Sequence, residues 1–149
     1  MAGSRPIKVL LVEDDSEDAK LLTEAVKSVK AADGAIVIES VDDGEKALEY
    51  LHKRGAYAAV SRPDLILLDL HLPKRDGIEV LLDIKRDDAL RVIPVIALTS
   101  SCESDDIWAA YSAGANCYVA KPVGLAAICK LVRLLADLWS VARLPPASP

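Results

Sequence analysis

Four acidic residues carry the first chemical signal: Glu13-Asp14-Asp15, directly after the apolar run Ile7 to Val12, and Asp69, inside the apolar run Leu65 to Leu70. An acid within such a run loses hydration with no structural return, which marks Asp69 as functional. Thr99-Ser100 ends a third run, Val95 to Leu98, and Lys121-Pro122 ends a weaker one, Asn116 to Ala120. If folding gathers these ends, carboxylates a few ångströms apart repel one another, so that either pKa values rise or a cation sits among them. All-oxygen donors at a solvent-facing rim suit Mg²⁺ ahead of Ca²⁺ or Zn²⁺. A strand-end carboxylate, Mg²⁺, the Thr99 hydroxyl and the Lys121 amine would together serve phosphoryl transfer onto Asp69, a reaction that needs mainly positioning and charge neutralisation.

Those runs must be strands to do this. The runs Ile7 to Val12, Leu65 to Leu70 and Val95 to Leu98 are short, rich in β-branched residues and continuous where a one-sided sheet would alternate, as expected of strands covered on both faces. Ile36 to Val41 is a further candidate. Between them lie apolar residues at helical spacing: Ala19, Leu22, Ala25, Val26 and Val29; Ala47, Leu48 and Leu51; Ile78, Leu81, Leu82 and Lys85; Ile107, Ala110 and Tyr111, closed by Gly114; and Leu125 to Trp139, ending before Pro145. Ser16 and Asp43-Gly44 read as helix starts, Asp33-Gly34 and Asp76-Gly77 as turns, Gly55 to Pro63 as a long loop, and Lys74-Arg75 as a solvated loop. Five alternating βα units make a doubly wound α/β sheet, whose ligand site lies beyond the carboxyl ends of the strands.

Composition excludes other classes. The 149 residues fit one domain, expected over 7–142, with disordered ends at 1–6 and 143–149. A hydrophobic fraction of 52% with 28% charged residues argues against disorder, and no run reaches the roughly 18 apolar residues of a membrane span. A net charge of −5 has the wrong sign for holding phosphate backbones, so no direct nucleic-acid partner is expected. No signal-peptide core precedes the first strand, which points to the cytoplasm. Cys102, Cys117 and Cys129 have no paired spacing and are read as small buried hydrophobes; with His52 and His71 as the only histidines, tetrahedral zinc is unsupported.

Four strings in order and spacing carry a family resemblance: IKVLLV before Glu13-Asp14-Asp15, DLILLDLHLP at 64–73 followed by KRDG, IPVIALTS at 93–100, and AGANCYVAKP at 113–122. The chain resembles the receiver domain of two-component response regulators from about Ile7 to about Ala142. Within that family it is most similar to single-domain regulators of bacterial and cyanobacterial phytochrome histidine kinases. The resemblance implies a flavodoxin-like (βα)5 sandwich with strand order 2-1-3-4-5 and a protein that is a switch rather than an enzyme. It implies that Asp69 accepts the phosphoryl group from a sensor histidine kinase. It also implies that Asp14 and Asp69 hold Mg²⁺, with Glu13 acting through a water and His71 supplying its backbone carbonyl. Lys121 and Thr99 would contact the phosphoryl group, Tyr118 would change rotamer with Thr99, and the Lys121-Pro122 bond would be cis. The face of the fourth helix, fifth strand and fifth helix would bind a partner or form a phosphorylation-linked homodimer, with Trp108, Tyr111 and Tyr118 on it. Trp108 neighbours Ile107, so only one of the two can face inward.

Departures from the family pattern are Glu13 in place of a more usual Asp, and Leu72 where Met is frequent. His71 and Ser101 occupy positions that tune phosphoryl lifetime in the family. Blander readings exist: Asp14 and Asp15 as helix caps, Lys121 as a surface lysine, Thr99 as a plain strand residue. A haloacid-dehalogenase-type phosphohydrolase would need an acid at His71, and a flavin carrier would need a phosphate loop where Glu13-Asp14-Asp15 stands. A receiver-like scaffold that never takes phosphate is the remaining rival.

Overall fold

A computed structural model describes residues 6–29, 36–73 and 75–146. Five strands, β1 (Ile7–Val12), β2 (Ile36–Val41), β3 (Leu65–Leu68), β4 (Val95–Thr99) and β5 (Cys117–Ala120), pair in parallel in the order β2-β1-β3-β4-β5. The helices between and after them are α1 (Ser16–Ser28), α2 (Gly44–Leu51), α3 (Gly77–Arg86), α4 (Ser104–Ser112) and α5 (Leu125–Val141). This is the predicted doubly wound sandwich.

Period-two alternation along the strands sorts the core into two layers. Leu10 and Val12 of β1 and Ile66 and Leu68 of β3 pack with Ala47, Val80, Leu81, Ile84 and Ala110 from α2, α3 and α4. Val9, Leu11, Leu65 and Leu67 point the other way, against Leu22 and Ala25 of α1 and Ile128, Val132 and Leu135 of α5. Burial on both faces is why β3, β4 and β1 from Val9 onward read as apolar runs. The edge strand β2 alternates in exposure over Ile36 to Glu39 instead.

Local chemistry starts and stops the helices. Asp15 caps α1 by accepting from Glu17 N–H and Asp18 N–H, and Asp43 caps α2 by accepting from Lys46 N–H. Asp76-Gly77, expected as a turn, is instead a helix start: the Asp76 carboxylate accepts from Ile78 N–H, and Gly77 opens α3. Gly114 (φ 108°) closes α4 as expected. The loop beginning at Gly55 carries one 3₁₀ turn, Gly55–Tyr57, whose Tyr57 ring lies 5.3 Å from that of Tyr50.

Other expectations need correction. Arg75 is not merely solvated, because it forms ion pairs with Asp83 and Glu79 of α3. Cys102 is exposed on the β4–α4 connection, and Cys117 and Cys129 are only partly buried, since both lie at the margin of the α1/α5 layer. Lys74, the Asp33-Gly34 turn and most of the termini expected to be disordered lie outside the described residues.

Candidate functional site

Three residues stand one step past the end of a strand, each tied to a neighbouring strand by its own N–H. Glu13 N–H donates to Val41 O at 3.0 Å, Asp69 N–H to Val12 O at 3.0 Å, and Lys121 N–H to Thr99 O at 2.8 Å. The sheet thus delivers two carboxylates and an amine to one edge with little freedom. Asp69 is 4% exposed, Glu13 4% and Thr99 0%.

Lys121 Nζ binds Glu13 Oε1 at 2.7 Å, Asp69 Oδ2 at 3.0 Å and Asp18 Oδ2 at 3.2 Å. The other oxygen of Asp69, Oδ1, accepts from His71 N–H at 2.9 Å, so the loop after β3 orients the carboxylate. Carboxylate oxygens of Glu13, Asp14 and Asp69 lie within 4.8 Å of one another, with Asp14 exposed to solvent. One ammonium does not neutralise three carboxylates. Burial pushes the Glu13 carboxyl up to about 7, the Asp69 carboxylate adds to that rise, and Lys121 opposes it without cancelling it. The Lys121 amine is held well above its ordinary value: burial works to lower it, and Glu13 and Asp69 outweigh burial. Residual negative charge on oxygen donors at a solvent-facing rim is what a hard divalent cation neutralises, so these residues fit such an ion.

A second cluster adjoins Thr99. Tyr118 Oη donates to Ser101 O at 2.7 Å, Ser101 N–H reaches Thr99 Oγ1 at 3.5 Å, and Ser101 Oγ donates to Asp106. Tyr118 N–H in turn donates to Tyr111 Oη at 3.1 Å. The hydroxyl at the end of β4, the β4–α4 connection and the outer face of α4 and β5 are therefore joined by hydrogen bonds. Trp108 is 78% exposed, with Ala110 buried on the opposite side of α4.

Glu13, Asp14, Asp69 and Lys121, expected together from their places in the sequence, are together; Thr99 reaches the same edge of the sheet through its bond to Lys121 N–H. The His71 side chain is exposed, and its N–H donates to the Asp69 carboxylate. The expected cis bond at Lys121-Pro122 is absent, as is any cis peptide among the described residues. With its N–H fixed to β4, Lys121 reaches all three carboxylates from a trans bond, the form an X-Pro bond favours by about 0.5–1 kcal/mol. Asp18 was missed. Its signal is faint: an acid in the first turn of α1, where the helix dipole alone would account for it.

No helix of the described residues is long and apolar enough to cross a membrane. The family described as "Response regulator receiver domain" matches residues 9–133. The chain is 42% identical over 137 residues to the response regulator Rcp1 of Synechocystis sp., covering 91% of each. Among solved structures it superposes with a TM-score of 0.85 on the phosphorylated cyanobacterial phytochrome response regulator RcpA, at 42% identity over 95% of this chain and 99% of that one. A Mn²⁺-bound form of Rcp1 aligns with a TM-score of 0.83 at 39% identity, over 95% of this chain and 100% of that one. Strand order, site geometry and these likenesses agree, and the chain belongs to the receiver domain family of response regulators.

Proposed function

We propose that Asp69 is the phosphoacceptor of a signalling switch charged by a sensor histidine kinase of the phytochrome class. The observation that carries this is the buried Asp69 carboxylate, set 3.0 Å from Lys121 Nζ within a cluster of acids. In the reaction an Asp69 oxygen bonds to the phosphorus of the kinase's phosphohistidine. The phosphorus–nitrogen bond breaks, and the imidazole keeps the electron pair and takes up a proton. Asp14, Asp69, the His71 carbonyl and Glu13 through a water would hold Mg²⁺, which neutralises phosphoryl oxygens when bound. Lys121 is already beside the acceptor and pairs with the new group, and the Thr99 hydroxyl hydrogen-bonds it. The kinase class is supported by the description of RcpA as a cyanobacterial phytochrome response regulator.

The phosphoryl group brings roughly two negative charges to Asp69. Thr99 moving toward it would loosen its contact with Ser101, and Tyr118, held to Ser101 O, follows. The output surface is the α4-β5-α5 face, where exposed Trp108 and Tyr111 serve a homodimer or partner contact. Acetyl phosphate with Mg²⁺ should label the wild type and leave Asp69→Asn unlabelled. An unlabelled wild type would mean a scaffold that never takes phosphate. Phosphotransfer from a panel of histidine kinases then identifies the donor.

A further inference from the structure

We propose that Asp18 is a positioning residue that holds the Lys121 ammonium toward α1 before phosphoryl transfer and so restrains phosphoryl uptake. This rests on the reading of Asp69 as acceptor.

An acid in the first turn of a helix has an ordinary structural role, the capping box, in which its carboxylate reaches back to the N–H of the capping residue. That role is already filled here by another residue. Asp15 caps α1, and Asp15 N–H donates to Glu13 Oε2 at 3.2 Å. The Asp18 carboxylate is directed elsewhere, to Lys121 Nζ at 3.2 Å, across 103 residues of sequence. It lies outside the Glu13, Asp14 and Asp69 cluster suited to a cation, so it has no evident part in holding one. Its contact is with the amine alone among the site's groups.

The consequence follows from charge. Lys121 is shared by three carboxylates, two of them nearly buried and the third, Asp18, with 46% of its side chain exposed. When a phosphoryl group reaches Asp69, the ammonium must turn to the new oxygens, and Asp18 draws it the other way. Asp18→Asn keeps the size and removes the pull. A half-exposed ion pair supports a modest effect, so uptake from acetyl phosphate should rise about threefold.

Loss of any negative charge near the rim would also favour an anionic donor, and Glu17→Gln controls for this. Glu17 is exposed on the same turn, and among the described residues it is not one of the carboxylates around Lys121. Uptake rates would be measured for wild type, Asp18→Asn, Asp18→Glu and Glu17→Gln, with melting curves to verify folding. The Lys121 side-chain ¹⁵N resonance would be followed in the unphosphorylated proteins without donor. Faster uptake in Asp18→Asn, near wild-type uptake in Asp18→Glu, little change in Glu17→Gln, and a Lys121 resonance moved by Asp18→Asn only would establish the role. Equal rates in Asp18→Asn and Glu17→Gln, slower uptake in Asp18→Asn, or an unmoved resonance would overturn it. A wild type that takes no label at all would instead remove the Asp69 reading and this inference with it.

Discussion

At the residue scale, Glu13 is where the site's unbalanced charge can be measured. Its carboxyl rises from an ordinary 4.5 to about 7 in the folded protein. The unfolded chain therefore ionises first as pH rises, and stability without metal falls between about pH 4.5 and 7, then levels. The fall should be on the order of 1–3 kcal/mol in urea titrations across that range, and Glu13→Gln should flatten it. A divalent cation must displace the same proton, so apparent metal affinity should drop roughly tenfold per unit below pH 7, measurable by calorimetry. Asp69 was legible in the sequence because an acid in an apolar run has no structural use, and Glu13 and Asp14 because they follow such a run. Asp18 was not, because its partner lies 103 residues away and its local setting offers a sufficient ordinary explanation.

At the element scale, the positions that matter most are junctions. Gly77 opens α3, and a Cβ there would meet Leu70 Cα at 2.4 Å and Asp69 O at 2.5 Å. Both are backbone atoms of the loop that carries Asp69, so they cannot swing aside. Gly77→Ala should cost about 3 kcal/mol by urea titration and slow phosphoryl uptake, because relieving the clash displaces Asp69. Asp43→Ala, which strips the cap from α2, should cost about 1 kcal/mol and leave uptake near wild type. Strand existence was readable from apolar runs, but strand ends were less so. Leu70 is as buried as a strand residue, yet β3 stops at Leu68 because the chain must bend to present Asp69. The Asp76-Gly77 pair was misread because the residues that favour turns also favour helix starts.

At the scale of the whole molecule, the question is what the α4-β5-α5 face does. Trp108 contributes little to the fold at 78% exposure, so Trp108→Ala should leave stability within about 0.5 kcal/mol. If the face is the output surface, the same change should abolish any self-association of the phosphorylated protein in sedimentation equilibrium. The overall architecture was readable because five alternating units with both-sided strands admit few arrangements. The outward Trp108 was readable too, from its neighbour Ile107. What covers it was not, since a surface patch records no partner.

The tips of β1, β3, β4 and β5 are far apart in sequence and are brought together in space by the sheet and by the ion pairs of Lys121. Occupancy of that rim and integrity of the sheet therefore obey a single mass-action law. Cation at a hundredfold excess over its dissociation constant would add about 2.7 kcal/mol against unravelling. Thermal denaturation with and without the ion thus weighs its grip directly, with no phosphate in the tube.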